Sequence, residues 1–144
     1  ARALSDGRYK ARREECLQAA EALGAEYLCE GDPALAETLA SGLARRARHV
    51  ISEGRRSLEA ITALQSADKA AFGALMNASL RDDFEVSVPD MDAMVRDAVD
   101  LGAAGARITG AGFGGCFVCL IDTVQADAWW ASLQVRHPAA RRIA

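Results

Sequence analysis

The sequence of 144 residues lacks any apolar run of the ~18 residues that a membrane-spanning helix requires. Its first ten residues are polar and contain no apolar core typical of a secretion signal. An excess of positive charge is also absent, because the formal net charge is -3. A chain without a basic field is a poor partner for nucleic acid. We therefore expect a cytoplasmic protein that binds neither membranes nor nucleic acid.

Histidine and cysteine, the usual ligands of structural zinc, are scarce, with only 2 histidines and 4 cysteines. Cys116 and Cys119 have the spacing of half a zinc site, but they lie in an apolar run that predicts a strand. An offset of three along a strand places two side chains on opposite faces. The sequence has no second Cys-x-x-Cys, and the histidines complete no ligand pattern. We predict buried free thiols and no metal site, the cysteines being Cys16, Cys29, Cys116 and Cys119.

The composition, 51% hydrophobic and 26% charged, is that of a single globular domain that buries its own core. Helical spacing of apolar residues predicts helices at about 5–24, 33–42, 44–65, 69–78, 90–101 and 124–135, with Asp90 or its neighbourhood as the cap of the fifth. Short strands are predicted at 106–109 and 116–121. The pattern indicates an α+β fold that is rich in helix.

Two charged clusters are predicted to be solvated surface. Arg45, Arg46 and Arg48 lie beside the apolar stripe of the third helix, where a basic cluster usually faces water. The segment 79–90 is rich in acid, and its carboxylates are not expected to be catalytic. The three carboxylates considered for that role are Asp82, Asp83 and Glu85.

The glycine-rich stretch GAGFGG, residues 110–115, has the spacing of a dinucleotide-binding turn. That turn must lead from a strand into a helix, whereas a strand is predicted to follow here. An interpretation as the phosphate loop of P-loop enzymes is also excluded, because no Gly-Lys-Ser or Gly-Lys-Thr ends the stretch. Two interpretations remain open: a tight or bulged connection between antiparallel strands, or close approach of the backbone to a ligand or another loop.

Four stretches of the sequence, taken together, resemble one family. They are ALSDGRYKARREEC at 3–16, RRARHVISE at 45–53, SLRDDFEVSVPDMDAMV at 79–95 and GARITGAGFGGCFVCLI at 105–121. The sequence is similar to the galactokinases, within the GHMP family of small-molecule kinases, in which these stretches occur in the same order. The middle two are typical of galactokinases and not of GHMP kinases in general.

The resemblance implies a ferredoxin-like α+β domain, helix-rich with a small antiparallel sheet, that forms the C-terminal part of a longer enzyme. Such an enzyme phosphorylates the anomeric hydroxyl of galactose with ATP and Mg²⁺. The N-terminal half, absent from this chain, supplies the phosphate loop, the metal ligands and the catalytic Asp in that family. The resemblance therefore implies no catalytic residue in residues 1–144 and no kinase activity for this chain alone.

For individual residues, the resemblance implies that Tyr9 contacts the sugar. It also implies that the glycine motif lines the active-site cleft, against the phosphate loop of the other half. That motif comprises Thr109, Gly110, Gly112, Phe113, Gly114 and Gly115. An alternative is a non-catalytic relative that senses galactose with the same fold.

The sequence departs from the family in two places. The stretch before Leu80 is about three residues shorter than usual and lacks a histidine, so either the loop is shorter or residues are missing there. The sequence also stops before the final strand of the family, which predicts an exposed sheet edge if the chain is complete.

Overall fold

The computed structural model describes residues 2–79, 85, 87–110 and 115–143, with side chains from Gly7 onward. The chain divides into two compact units. Residues 1–62 and 79–86 form the first unit, and residues 63–78 and 87–144 form the second. None of the helices in the described ranges is long and apolar enough to cross a membrane.

The first unit is helical in its described residues. It contains α1 (Arg2–Ala22), a 3₁₀ turn (Leu28–Glu30), α2 (Pro33–Ala36) and most of α3 (Ser41–Gln65). The Asp32 carboxylate begins α2 by accepting a hydrogen bond of 2.8 Å from the Ala34 amide, and Pro33 occupies the first turn, where its missing N–H is not needed. The core is built from small side chains and two large ones. Its buried members are Ala19, Leu28, Ala36, Ala47 and Ile51.

The second unit places three helices around a two-stranded antiparallel sheet. The helices are α4 (Lys69–Ala78), α5 (Pro89–Asp100) and α6 (Ala126–Arg136), and the strands are β1 (Gly105–Thr109) and β2 (Cys116–Leu120). Gly105 pairs with Leu120 at one end of the ladder and Thr109 with Cys116 at the other. The buried core residues are Ala98, Ala106 and Leu133. The helix-rich α+β class with a small antiparallel sheet is thus confirmed.

Helix α4 and strand β1 approach each other so closely that no side chain fits between them. A Cβ added to Gly73 would lie 2.3 Å from the Ala104 carbonyl oxygen, and one added to Gly105 would lie 2.5 Å from the Gly73 oxygen. Asn77 fixes the register of this contact, because its amide donates to Ala104 O at 3.2 Å and accepts from Ala106 N at 2.9 Å. The start of β1 is therefore fixed by backbone contact and by one side-chain amide.

Several predicted boundaries are wrong. Helix α1 begins at Arg2 and not at Ser5, because the helix-forming residues before Ser5 continue it. Helix α2 ends at Ala36 and not near Gly42. The amide and hydroxyl of Thr38 both bond to the Leu35 carbonyl, which tightens the chain into a turn.

Helix α3 also begins differently from the prediction, whereas α5 begins close to its predicted place. Helix α3 begins at Ser41 and not at about residue 44, so Gly42 lies inside α3 and does not end a helix. The cap of α5 lies in the predicted neighbourhood of Asp90, at Val88, and Pro89 and Asp90 itself lie in the first turn. Proline is suited to that turn because its ring already has a helical φ.

Candidate functional site

Tyr9 lies on α1 in the first unit, with 49% of the residue exposed. Arg12 and Arg13 follow three and four positions later, so they share its side of the helix. A half-exposed phenol beside cationic side chains can donate a hydrogen bond to a ligand while its ring packs against the helix surface. This geometry is compatible with the predicted sugar contact, which stays a prediction.

The glycine motif connects β1 and β2 in the second unit. Thr109 is exposed and pairs with Cys116 at the end of the ladder nearest the motif. Gly110 has φ +77° and Gly115 has φ +108°, values that favour glycine over every other residue. Gly112, Phe113 and Gly114 lie outside the described residues. The need for positive φ in an antiparallel connection therefore holds at both ends of the motif, and its cleft-lining role stays a prediction.

The main charged cluster of the first unit is a closed ring of two arginines and two glutamates. Arg12 Nη1 donates to both Glu15 oxygens at 2.9 Å, and its Nη2 donates to Glu85 Oε2 at 3.2 Å. Arg46 Nε donates to Glu15 Oε2 at 2.5 Å, and its Nη2 contacts the same oxygen of Glu85. Each arginine thus bridges both carboxylates. We call these four residues the Arg–Glu ring.

Arg46 is the most deeply buried member of the Arg–Glu ring, with 2% of its side chain exposed. Arg45 adds an outer contact, since its Nη1 donates to Glu85 Oε1 at 2.7 Å. The expectation that Arg46 is solvated is wrong, because its guanidinium is paired on two sides and can therefore be buried. Glu85 is exposed, as expected, although three arginines contact its carboxylate, whereas Asp82 and Asp83 lie outside the described residues.

Ion pairing sets the protonation of the Arg–Glu ring. Burial would raise the pKa of Glu15, but hydrogen bonds and the charges of Arg46 and Arg12 lower it below its ordinary value. The hydrogen bond from Arg46 is the main cause that lowers the pKa of Glu85. Burial works against the charge of Arg46, yet its two carboxylate partners raise its pKa. Both carboxylates of the ring are therefore ionised at neutral pH.

A second polar contact in the first unit holds the beginning of the 79–95 stretch. The buried Ser79 hydroxyl donates to Glu53 Oε2 at 2.7 Å, and Glu53 also pairs with Arg56 one turn further along α3. Glu53 belongs to the RRARHVISE stretch. Together with the Arg–Glu ring, this contact joins the stretches 3–16, 45–53 and 79–95, which are distant in sequence.

The cysteines are free thiols in the described residues, as expected, but they are not all buried. Cys29 and Cys116 are exposed, which corrects the prediction for those two. Cys29 lies in the 3₁₀ turn at the surface, and Cys116 lies on the exposed face of a two-stranded sheet. Cys119 is half-buried on the other face, and burial raises its pKa to about 12.

The predicted site residues do not line the surface cleft found in the first unit. That cleft lies beside α3, and Pro33, Glu37, Arg48 and Glu59 are among its lining residues. Tyr9 is not among them, nor is any member of the Arg–Glu ring. Over the ranges that the structure describes, no group of three His, Cys, Asp or Glu side chains could hold a metal ion.

Comparison with known proteins identifies the family. Residues 60–135, more than half of the chain, match the model described as GHMP kinases C terminal. The chain belongs to the GHMP kinase family. This region of a GHMP kinase includes the 79–95 and 105–121 stretches, so the resemblance stated from those motifs is confirmed.

Among GHMP kinases, the chain is similar to galactokinases along its length. It is 43% identical to a galactokinase of Roseiflexus sp. (strain RS-1), covering 100% of this chain and 40% of that protein. It is also 43% identical to a galactokinase of Homo sapiens, covering 83% of the chain and 32% of that protein. The chain thus spans less than half the length of these relatives.

A solved structure gives the same result for the fold. The crystal structure of Lactococcus lactis galactokinase complexed with galactose superimposes with a TM-score of 0.80 at 29% identity. The match covers 89% of this chain and 36% of that chain. The helix-rich arrangement with its small antiparallel sheet is therefore that of a GHMP kinase C-terminal region.

The residues that sequence reasoning missed are Arg46 and Glu85. A signal for Arg46 was present, since Leu43, Arg46 and Val50 have the i, i+3, i+7 spacing of one helix face. An arginine on an apolar face must have an anionic partner. No comparable signal identifies Glu85 as that partner, because 39 residues separate it from Arg46.

Proposed function

We propose that this chain is the C-terminal part of a galactokinase, which transfers the γ-phosphate of ATP to the C1 hydroxyl of α-D-galactose. The observation that carries the proposal is the 43% identity to a galactokinase over 100% of the chain. The similarity to a galactokinase structure determined with galactose supports the same substrate. The four galactokinase-like stretches, which cover separate parts of the chain, agree with it.

Within this proposal, the chain supplies sugar contact and shape and no proton-transfer group. Tyr9 donates a hydrogen bond to galactose. Thr109 and the glycines from Gly110 to Gly115 line the cleft, where a backbone free of side chains allows close approach of another loop. Positioning and charge stabilisation account for most catalysis of phosphoryl transfer, so a part that only shapes the cleft still affects the rate.

ATP and Mg²⁺ are the implied cofactors, and both are assigned mainly to the N-terminal half of the same protein. The described residues contain no cluster of three His, Cys, Asp or Glu side chains that could hold a metal ion, and the proposal places the Mg²⁺ ligands in the N-terminal half. The proposed partners are galactose, ATP and that N-terminal half. Residues 1–144 alone are expected to be inactive.

The direct test measures ADP formation by the full-length protein with ATP, Mg²⁺ and either galactose or glucose. We expect turnover with galactose and a product in which ³¹P NMR detects phosphate on the anomeric carbon. Galactose binding without turnover would instead favour the non-catalytic sensor. Phosphorylation of galactose by residues 1–144 alone would contradict the assignment of catalysis to the absent half.

The role of Tyr9 is tested by Tyr9→Phe in the full-length protein. Loss of one hydrogen bond to a neutral hydroxyl is expected to raise the KM for galactose by roughly tenfold, which corresponds to about 1.4 kcal/mol. Tyr27 is a matched control, since it is another exposed tyrosine of the same unit. Tyr27→Phe should leave kcat and the KM for galactose unchanged. An unchanged galactose KM in Tyr9→Phe would remove Tyr9 from the sugar site.

A further inference from the structure

We propose that the Arg–Glu ring positions the turn of α1 that carries Tyr9, with Arg46 as the central positioning residue. The inference rests on the proposed function for the identity of the ligand. The inference goes beyond that function by assigning a role in galactose affinity to residues that do not themselves touch the sugar.

The first observation is the closure of the ring. Arg12 and Arg46 each bridge Glu15 and Glu85, so neither carboxylate can move without breaking contacts to both arginines. The planar guanidinium fixes the directions of its donors, which makes such contacts directional as well as attractive. Glu15 and Arg12 belong to α1, so the ring fixes the rotation of α1 about its own axis relative to Arg46 of α3.

The second observation is the position of the ring along α1. The apolar contacts of α1 with the core begin at Cys16 and continue through Ala19 and Ala20. Arg12 and Glu15 lie N-terminal to these contacts, and Tyr9 lies one turn further. At 1.5 Å per residue, Arg12 is about 4.5 Å along the axis from Tyr9 and on the same side. The ring therefore acts on α1 between its packed part and the turn that bears Tyr9.

The third observation is the backbone of Glu85. This residue has φ +56°, in the left-handed region that side-chain-bearing residues rarely adopt. Such a conformation persists only where the surroundings determine it, and here three arginines hold the carboxylate. The chain thus maintains an unfavourable backbone conformation that presents Glu85 to Arg12 and Arg46.

Burial of Arg46 is weak evidence for a purely stabilising role and favours a positioning role beside it. Desolvation largely cancels the attraction within buried ion pairs, and well-packed apolar residues often stabilise a protein as much or more. The best-attested role of buried charges is to select one register among alternatives. The Arg–Glu ring would select one orientation of α1, and with it the orientation of the turn that bears Tyr9.

The test compares Arg46→Gln with Arg48→Gln in the full-length protein. Arg48 lies on the same helix and forms an exposed ion pair with Glu37, 44% of its side chain being exposed, so its substitution controls for loss of charge from α3. Arg46→Gln is expected to raise the KM for galactose about tenfold and to change the KM for ATP by less than about twofold. Arg48→Gln should change neither. Equal increases of both constants in Arg46→Gln would overturn the proposal.

A double-mutant cycle separates positioning from a general loss of structure. If Arg46 acts through Tyr9, adding Arg46→Gln to Tyr9→Phe should raise the galactose KM by less than about twofold further. Full additivity would overturn the proposal. Glu85→Gln is the second variant, with the same expectation, in case Arg46→Gln does not fold. If folded Glu85→Gln leaves the galactose KM unchanged, the proposal fails.

Hydrogen exchange gives a measurement that does not depend on the proposed function. Amides of residues 9–13 should exchange faster in Arg46→Gln than in the wild type or Arg48→Gln, while those of α6 stay unchanged. Unchanged exchange at 9–13 would overturn the proposal. Faster exchange in a protein that does not phosphorylate galactose would support the positioning role and reject only the proposed substrate.

Discussion

The two units hold their family-specific segments by different physical means. In the first, the Arg–Glu ring joins α1, α3 and Glu85 through charge. In the second, Gly73 and Gly105 bring helix and strand backbones into contact, and Asn77 fixes their register. Charge pairing depends on protonation and on guanidinium geometry, whereas backbone contact depends on the absence of two Cβ atoms. The ring of the first unit should therefore respond to pH and loss of charge, and the backbone contact of the second unit to added volume.

The largest effect is expected from a single methyl group in the second unit. Gly105→Ala places a Cβ 2.5 Å from the Gly73 carbonyl oxygen, and the three nearest atoms are all backbone atoms of Gly73, which cannot rotate away as a side chain could. We expect the free energy of unfolding to fall by about 3 kcal/mol or more, measured by urea unfolding. Gly42→Ala is the control, since nothing lies within 4 Å of its added Cβ and alanine favours a helix. A Gly105→Ala variant as stable as the wild type would disprove the backbone contact.

The next effect tests the charge-based unit through pH. The folded state lowers the pKa of Glu15 below its ordinary value of 4.5, so below about pH 4.5 the unfolded chain binds more protons than the folded one. Stability from the ring is fully present above that value and is lost as the pH falls through the folded pKa. Arg46→Gln should cost about 2 kcal/mol at pH 7, less than a fully buried pair because Glu15 remains 31% exposed.

This loss should shrink as the pH falls from 5 towards 3, because protonation removes the carboxylate charge that Arg46 pairs with. Urea unfolding at several pH values measures the difference between wild type and Arg46→Gln. Arg48→Gln provides the comparison, as its exposed pair with Glu37 should give a curve parallel to that of the wild type. If the free energies of unfolding of wild type and Arg46→Gln differed by the same amount at all pH values, the pKa of Glu15 would not depend on Arg46.

The same contrast explains what the sequence reveals and what it does not. Helix periodicity and glycines at helix ends are local, so five of the predicted helices and both strands occur close to their predicted places. The Arg–Glu ring is not local: Glu15 and Arg46 are 31 residues apart, and neighbouring residues give no information on the pairing. The local composition around Arg46 indicated a solvated face, and only the tertiary structure supplies the two carboxylates that allow its burial.

Candidate site residues also divide into those with a local sequence signal and those without one. Gly110 and Gly115 have positive φ, which a glycine-dense connection between strands predicts from local chemistry alone. Tyr9, by contrast, was assigned from a resemblance, and a half-exposed tyrosine on a helix has no local signal that separates a ligand contact from ordinary surface. Its role depends on groups outside this chain and stays a prediction.

A smaller effect is expected from the amide that fixes β1. Asn77→Ala removes one acceptor from Ala106 N and one donor from Ala104 O. Because water can replace part of these bonds at the surface, we expect a loss of about 1 to 2 kcal/mol by urea unfolding. Asn77→Asp sharpens the assignment, since it retains the acceptor but sets a negative charge against the Ala104 carbonyl. Equal stability of Asn77→Ala and wild type would mean that the glycine contact alone fixes the register.

The smallest effect concerns helix ends, where the two units are alike except at one residue. Gly24 after α1 and Gly102 after α5 have positive φ, and each helix closes with the same pair of backbone hydrogen bonds. Ala67 after α3 has φ +53° with an equivalent pair, from Asp68 N to Ala63 O and from Ala67 N to Leu64 O. A Cβ is unfavourable in this conformation by roughly 1 to 2 kcal/mol, partly offset by the greater freedom of glycine in the unfolded chain.

Ala67→Gly is therefore expected to stabilise the protein by about 0.5 to 1 kcal/mol, seen as a higher urea midpoint. Ala74→Gly is the matched control, because the same substitution inside α4 should destabilise by a similar amount. Opposite signs for two identical substitutions would establish that backbone conformation, and not side-chain size, sets the effect. If both variants lose stability, Ala67 does not occupy the left-handed position, and the three helix ends are not equivalent.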